Sequence, residues 1–285
     1  MRYSAPRSLD DAVALLAADD ARVLAGGTDL LIQLRAGTCP SRHLIDVKRI
    51  AELATLDVDA SGALRIGAAV PCWRLADDAR VRRSFPGLAE ATALIGSTQI
   101  QSRATIAGNL CNGSPAADTT PALAALDAVG VVVGPAGRRE VPVASFVTAP
   151  GKTVLGRGEL LVELRVPAPS AHSADAYQRF IPRNEMDIAV VGVAASITRD
   201  GARCSAARIA LGAVGPTVLL AEDAARALVG GTLDDAAIAR AAAAAMAAAR
   251  PITDMRAPAD YRREITGVLT RRVVAEAARR ALQGA

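Results

Sequence analysis

Two glycine-punctuated segments hold the residue types from which a phosphate-and-sugar site can be built. The first is Leu24-Ala25-Gly26-Gly27-Thr28-Asp29-Leu30, and the second is Thr105-Ile106-Ala107-Gly108-Asn109-Leu110-Cys111-Asn112-Gly113-Ser114-Pro115-Ala116-Ala117-Asp118. Small residues in both leave backbone N–H groups bare for a pyrophosphate, and the neighbouring hydroxyl, amide and carboxylate groups suit ribose hydroxyls. Together they point to a nucleotide-shaped cofactor.

Other chemistries have less to work with. Cys39, Cys72, Cys111 and Cys204 stand far apart without a Cys-x-x-Cys pair, so the spacing matches neither a zinc site nor an iron–sulfur cluster. Reduced thiols are expected, with Cys39, Cys72 and Cys204 as small buried packing residues. His43 and His172 are the only histidines, which excludes a three-histidine metal site, and both read as surface or loop residues. Neither glycine segment has the form Gly-x-Gly-x-x-Gly, so a Rossmann-type site is not predicted and the cofactor must be held differently. The net charge of +4 is spread along the chain and aromatics make up 2%, a pattern that argues against nucleic acid as a partner. No uninterrupted apolar stretch nears the roughly 20 residues that cross a bilayer, so no transmembrane segment is expected. The first residues reach Asp10-Asp11 with no apolar core ahead of a small-residue cleavage site, which predicts a cytoplasmic location.

The elements that must position the two segments can be read coarsely. The 285 residues, 51% of them hydrophobic, suffice for two domains or for one with subdivisions. Ser8 is expected to cap a first helix, with Asp11 completing a weaker, acidic capping box and Val13, Leu15 and Leu16 forming its apolar face. A strand over 22–25 runs into Gly26-Gly27, after which Thr28 or Asp29 caps a helix that turns Leu30, Leu31 and Leu34 inward. Residues 43–47 and 64–67 read as strands, and 85–95 as a helix. Pro115 and Pro121 bracket a rigid turn from which Asp118 projects into a cleft, ahead of a helix over 122–126 and a buried strand over 129–133. A strand over 160–166 ends at Pro167-Ala168-Pro169-Ser170, a domain boundary. Beyond it, strands over 188–198 and 203–213 join through Asp200-Gly201 as a hairpin. Helices over about 234–250 and from Pro258 onward are expected to cover this sheet, the last with Ile265, Val268, Leu269 and Val273 on one face.

The arrangement resembles the FAD-binding medium subunit of the molybdenum hydroxylases, the family that contains xanthine dehydrogenase and the aerobic carbon monoxide dehydrogenase. The resemblance spans almost the whole chain. It rests on Ala25-Gly26-Gly27-Thr28-Asp29-Leu30, on the second glycine segment continued through Thr119-Thr120-Pro121, and on Arg183-Asn184-Glu185-Met186-Asp187-Ile188-Ala189. Leu211-Gly212-Ala213-Val214-Gly215-Pro216-Thr217, and Asp254-Met255-Arg256 with Tyr261-Arg262-Arg263, complete it in family order.

What the resemblance implies is an α+β chain. Residues 1–170 would form an FAD-binding domain of the vanillyl-alcohol-oxidase (PCMH) type, with subdomains of about 1–55 and 56–170. Residues 174–285 would form a C-terminal domain with a small antiparallel sheet and helices. By resemblance, Leu24, Ala25, Gly26, Gly27, Thr28, Asp29 and Leu30 wrap the FAD pyrophosphate. Thr105, Ala107, Gly108 and Asn109 continue the cradle, Asn112, Ser114 and Ala117 belong to the same stretch, and Asp118 binds a ribose or ribityl hydroxyl. Ile95 stands near the isoalloxazine ring, Leu160 or Leu161 packs on the flavin, and Arg179 lies near its pyrimidine end. Taken singly, these residues also admit plainer roles: an ordinary turn at Gly26-Gly27, a helix cap at Asp118, and a structural ion pair between Arg179 and Asp187.

The same resemblance implies an assembly. A large molybdopterin-binding subunit would hydroxylate the substrate, a small subunit with two [2Fe–2S] clusters would relay electrons, and this chain's FAD would pass them to NAD⁺, a quinone or another acceptor, the whole forming a dimer of heterotrimers. Thr28-Asp29 stands where carbon monoxide dehydrogenases tend to have His-Ser, which favours a purine or other N-heterocycle as the complex's substrate over carbon monoxide. No cysteine-rich insertion for an extra four-iron cluster is present, which disfavours the benzoyl-thioester reductase branch. The competing readings are a self-contained flavin-dependent oxidase or reductase, the flavoprotein subunit of an aldehyde or CO dehydrogenase, and a flavin-free scaffold.

Overall fold

The computed structural model describes residues 1–18 and 20–283. Three strands, β1 (Arg2–Ser4), β2 (Ala21–Leu24) and β3 (His43–Asp46), form a parallel sheet in the order β1-β3-β2. Helix α1 (Leu9–Leu16) links the first two. Its start is set by Ser8, whose hydroxyl accepts the Asp11 N–H at 3.2 Å and donates to the Asp11 carboxylate at 2.6 Å. The central strand β3 has a neighbour on each side and is buried along its length. His43 is therefore an interior residue, not a surface one, with Nε2 2.9 Å from the Ser4 hydroxyl. Helix α2 (Leu30–Arg35) also departs from expectation: none of its residues is buried, and Leu31 and Ile32 are exposed. Six residues make fewer than two turns, too short a stripe to anchor an apolar face on the sheet.

The second body begins with β4 (Leu56–Val58) and β5 (Leu64–Gly67). Helices α3 (Cys72–Asp77), α4 (Ala79–Ser84), α5 (Pro86–Ala93), α6 (Thr98–Gln101), α7 (Ile106–Cys111) and α8 (Thr119–Ala125) follow. The chain then runs through β6 (Val129–Gly134), β7 (Gly137–Pro142), α9 (Val143–Phe146), the hairpin β8 (Val147–Ala149) and β9 (Lys152–Thr153), and β10 (Leu160–Val166). An antiparallel sheet in the order β4-β5-β10-β6-β7 results. Strand β10 lies at its centre and is almost wholly buried, including Glu163. That carboxylate tolerates burial because Arg65 donates to it twice, at 3.0 and 2.6 Å, and Arg165 pairs with its other oxygen. Pro121 falls inside the first turn of α8, where a missing N–H costs little, and so does not bracket a loop.

The last body is a second antiparallel sheet, β11 (Ser173–Phe180), β12 (Val191–Asp200), β13 (Arg203–Gly212) and β14 (Leu219–Leu220), in sequential order. Helices α10 (Glu222–Arg226), α11 (Asp235–Ala248) and α12 (Ala259–Gln283) accompany it. Asp234 caps α11 through the Ala237 N–H at 2.8 Å. The buried side of α12 runs through Arg262, Thr266, Leu269, Thr270 and Val273, while Val268 and Ile265 lie only partly covered. Hydropathy alone misplaced this face because Thr266 and Thr270 satisfy their hydroxyls on the carbonyls of Arg262 and Thr266, at 2.8 and 2.7 Å.

Helix α5 crosses onto β11 and joins the second body to the last. A Cβ on Gly87 would lie 2.7 Å from the Ala176 backbone. Phe85 offers α5 no side-chain cap, and Asp175 of β11 supplies one instead by accepting the Leu88 N–H at 2.9 Å. Burial pushes the Asp175 carboxyl up to about 7, against the pull of the Gly87 and Leu88 N–H groups. A carboxyl whose folded value exceeds its ordinary one binds more protons folded than unfolded, so its contribution is full below the ordinary value and is lost as pH rises to about 7. Thermal melting followed from pH 4 to 8 should therefore show a decline in the native chain that is shallower in Asp175→Asn, whose amide oxygen still caps α5; equal slopes would contradict this placement of Asp175.

Candidate functional site

The ends of β2 and β3, the loop into α2, helix α7 and the stretch after β8 together line a cavity of about 870 Å³. That volume lies in the range of cofactor pockets. From the first glycine segment it takes Ala25, Gly26, Gly27, Thr28, Asp29 and Leu30, and from the second Thr105, Ala107, Gly108, Asn109 and Asn112. Ile95, Leu160 and Leu161 also reach it. Leu24, Ser114, Ala117, Asp118 and Arg179 are not among its lining residues.

The first loop is held from beneath. Lys48, just past β3, donates from Nζ to the Ala25 carbonyl at 3.0 Å and pairs with Asp46 at 2.7 Å, and the Tyr3 hydroxyl donates to the same carboxylate at 2.7 Å. Burial pushes the Asp46 carboxyl up, but the bonds from Lys48 and Tyr3 outweigh it and hold the group below its ordinary value. Gly26 lies so close to the strand-like turn ahead of α7 that a Cβ would meet the Arg103 carbonyl oxygen at 2.2 Å. Gly27 takes φ +81, a left-handed conformation that glycine adopts without strain. Among the described residues, the N–H groups of Gly26, Gly27, Thr28 and Asp29 donate to no protein acceptor. A bare row of donors on a cavity wall is the arrangement an anionic group takes.

The second segment is wired internally. Thr105 caps α7 by accepting the Gly108 N–H at 2.9 Å, Asn109 accepts the Thr119 hydroxyl at 2.8 Å, and Asn112 accepts from the Gln33 side chain at 2.9 Å. The last bond ties α7 to α2 and so joins the two segments a second time. Cys111 lines the cavity half-buried, and burial pushes its thiol up to about 12. Cys39, expected to be buried, is half-buried and reaches the cavity as well.

Asp118 lies behind the wall, not in the cleft. Its Oδ1 accepts the Tyr177 hydroxyl at 2.8 Å and its Oδ2 pairs with Arg179 at 2.5 Å, both partners coming from β11. Arg179 thus pairs with Asp118, while Asp187 pairs with Arg183 and Arg256, which replaces the expected Arg179–Asp187 pair. Burial pushes the Asp118 carboxyl up to about 6, with Arg179 and the Tyr177 hydroxyl pulling it down. The Nε of Arg179 is buried and lacks an acceptor. The stretch Gly151, Thr153 and residues 155–159 completes the wall and was not read from the sequence, although Gly151, Gly156 and Gly158 mark it as a backbone-rich turn.

The matching family model is that of the FAD-binding domain in molybdopterin dehydrogenases, over residues 1–169. A second, the CO dehydrogenase flavoprotein C-terminal domain, matches residues 176–277. The chain therefore belongs to the FAD-binding subunits of the molybdenum hydroxylases, oxidoreductases with an α+β fold as expected. Among individual proteins it is similar to the xanthine dehydrogenase FAD-binding subunit of Escherichia coli O157:H7, at 33% identity over 96% of this chain and 95% of that one. In structure it is similar to carbon monoxide dehydrogenase from Hydrogenophaga pseudoflava, at 37% identity, 98% coverage of each chain and a TM-score of 0.94. Quinoline 2-oxidoreductase from Pseudomonas putida 86 follows, at 33% identity, coverage of 99% and 98%, and a TM-score of 0.92.

Three stability predictions arise from this geometry. Gly26→Ala should cost about 1–3 kcal/mol by overpacking against the Arg103 backbone, read as a lower denaturation midpoint. Asp118→Asn, which leaves the buried Arg179 charge uncompensated, should cost about 3–5 kcal/mol. Tyr177→Phe should cost less, about 1–3 kcal/mol. Urea melts that reversed this order would contradict the pairing.

Proposed function

We propose that the cavity binds FAD through the residues that line it, and that the chain serves as the electron-carrying subunit of a molybdenum hydroxylase. The observation that carries this reading is the row of unpaired N–H groups at residues 26–29, backed by a glycine with no room for a side chain. These donors and the Thr28 hydroxyl would hold the pyrophosphate. Asn109 and Asn112 would meet sugar or ribityl hydroxyls, and Ile95, Leu160 and Leu161 would cover the apolar ring. Asp118, Ser114, Ala117 and Arg179 would act from behind, the Asp118–Arg179 pair fixing Thr119 and through it Asn109. When bound, FAD supplies a centre that takes up two electrons and two protons and releases them to an acceptor.

In this reading a large molybdopterin subunit hydroxylates the substrate, and two [2Fe–2S] clusters of a small subunit deliver the electrons. NAD⁺, a quinone or another acceptor removes them, and the assembly is a cytoplasmic dimer of heterotrimers. Residues 1–170 would be the FAD-binding domain and 174–285 the C-terminal one. A purine or other N-heterocycle is the proposed substrate, supported by Thr28-Asp29 in the first loop. The second reading, a CO or aldehyde dehydrogenase flavoprotein, is favoured by the 37% identity to a CO dehydrogenase. No helix of the described residues is long and apolar enough to cross a membrane.

An absorbance spectrum of the purified chain, with release and identification of any flavin, tests the reading. Equimolar FAD in the native chain and its loss in Gly26→Val are expected, as is reduction by a hydroxylase substrate only in the assembled complex. Turnover of an organic donor by the isolated chain would favour a self-contained oxidase, and no uptake of added FAD would overturn the proposal.

A further inference from the structure

A second cavity, of about 380 Å³, opens where α5, β11 and α12 meet. Glu90 enters it from α5, Gln178 from β11, and Arg272, Glu276, Arg279 and Arg280 from α12. The helix residues stand at i, i+4, i+7 and i+8, a spacing that sets them along one face. Successive strand residues alternate in face, so Gln178 shares the side of Ala176, which packs into the apolar cluster beneath α12. Two of the three arginines are engaged. Arg279 donates twice to Glu276, at 2.8 and 2.7 Å, and Arg280 donates to the same carboxylate at 2.7 Å. Arg280 also pairs with Glu90 and donates to the Asp175 carbonyl at 2.9 Å. The Arg279 bonds, with Arg280 beside them, hold the Glu276 carboxyl down at about 2, so it stays ionised. With both Glu276 oxygens taken, Arg272 one turn away is left out. Among the described residues its guanidinium has no hydrogen bond or ion pair, and neither has the Gln178 amide. The lining therefore carries three guanidinium groups against two carboxylates, an excess of positive charge in a concave site.

We propose that this pocket binds a phosphate group, as the free ion or as a small phosphomonoester. The placement of the donors selects phosphate over a carboxylate. One guanidinium fork satisfies a planar carboxylate, whereas the unpartnered donors here come from two elements, Arg272 on α12 and Gln178 on β11. Arg279, which uses three of its five N–H groups on Glu276 and Gln283, adds two more. A tetrahedral oxyanion offers acceptors in each of these directions. The volume exceeds that of a bare phosphate and lies at the low end of ligand pockets, which leaves room for a short organic body whose hydroxyls the Glu90 carboxylate would accept. Glu90 belongs to the second body and the other lining residues to the last, so the site exists only in the native arrangement, and an anion held there would stabilise the chain by mass action. The inference is independent of the flavin reading above.

Calorimetric titration of the full chain with inorganic phosphate, at constant ionic strength and with FAD added to fill the N–H row at residues 26–29, tests the proposal. One saturable site is expected, with a rise in melting temperature as it fills. Binding should weaken at least tenfold in Arg272→Ala and measurably in Gln178→Ala. It should be unchanged in Arg271→Ala, which removes the same charge from an exposed position outside the pocket. The comparison of variants decides even in a chain that takes up no FAD, because Arg272 does not line that cavity. Tighter binding of glycerol 3-phosphate than of phosphate would assign the site to a phosphomonoester, and weaker binding to the free ion. No saturable uptake, uptake indifferent to Arg272→Ala, or equal losses in the two arginine variants would overturn the site. Acetate bound as tightly as phosphate would overturn the choice of a tetrahedral anion.

Discussion

The close approach of Gly26 to the backbone of Arg103 and Ala104 is the constraint on which the rest of the structure depends. It brings together two loops that lie far apart in the chain, one leaving a parallel sheet and the other entering α7. Neither loop alone encloses anything. With a Cβ at this point the two backbones would have to separate, and the Lys48 bond to Ala25 and the Gln33 bond to Asn112 would no longer span the same gap. The cavity is thus a product of contact between bodies, and its walls are as stable as that contact.

Polar groups buried behind the walls give the contact its direction. Asp118, Tyr177 and Arg179 link the second glycine segment to β11, and Asp175 on the same strand caps α5. Each joins residues from different bodies, so each interaction exists only in the native arrangement. Buried ion pairs contribute little net stability, because desolvation offsets most of the Coulombic attraction, but an unpaired member is costly. Wrong relative placements of β11 and α8 are penalised for that reason. The same logic explains Glu163 at the centre of β10, flanked by Arg65 and Arg165.

Much of this was legible in the sequence where local chemistry decides structure. Ser8, Asp234 and the Asp200-Gly201 turn announce their elements, and β10 spans the residues its apolar pattern predicts. The two glycine segments stand out in the sequence by their small residues, and both line the one cavity. What could not be read were outcomes settled by distant partners. His43 looks like a surface residue until its strand proves central, and α2 looks amphipathic until its brevity leaves Leu31 and Ile32 in solvent. The two β11 residues that bind the Asp118 oxygens lie some sixty positions away, and no local pattern announces them.

Cys111 carries a consequence of a different kind. Oxidants such as hydrogen peroxide attack thiolates far faster than thiols. This sulfur stands on the cavity wall, one residue from Asn112, where a sulfenic or sulfinic group would add polar bulk against the lining. With its thiol pushed up to about 12, it stays protonated through the physiological range and presents a poor target. The packing that shapes the wall therefore also keeps this thiol chemically quiet.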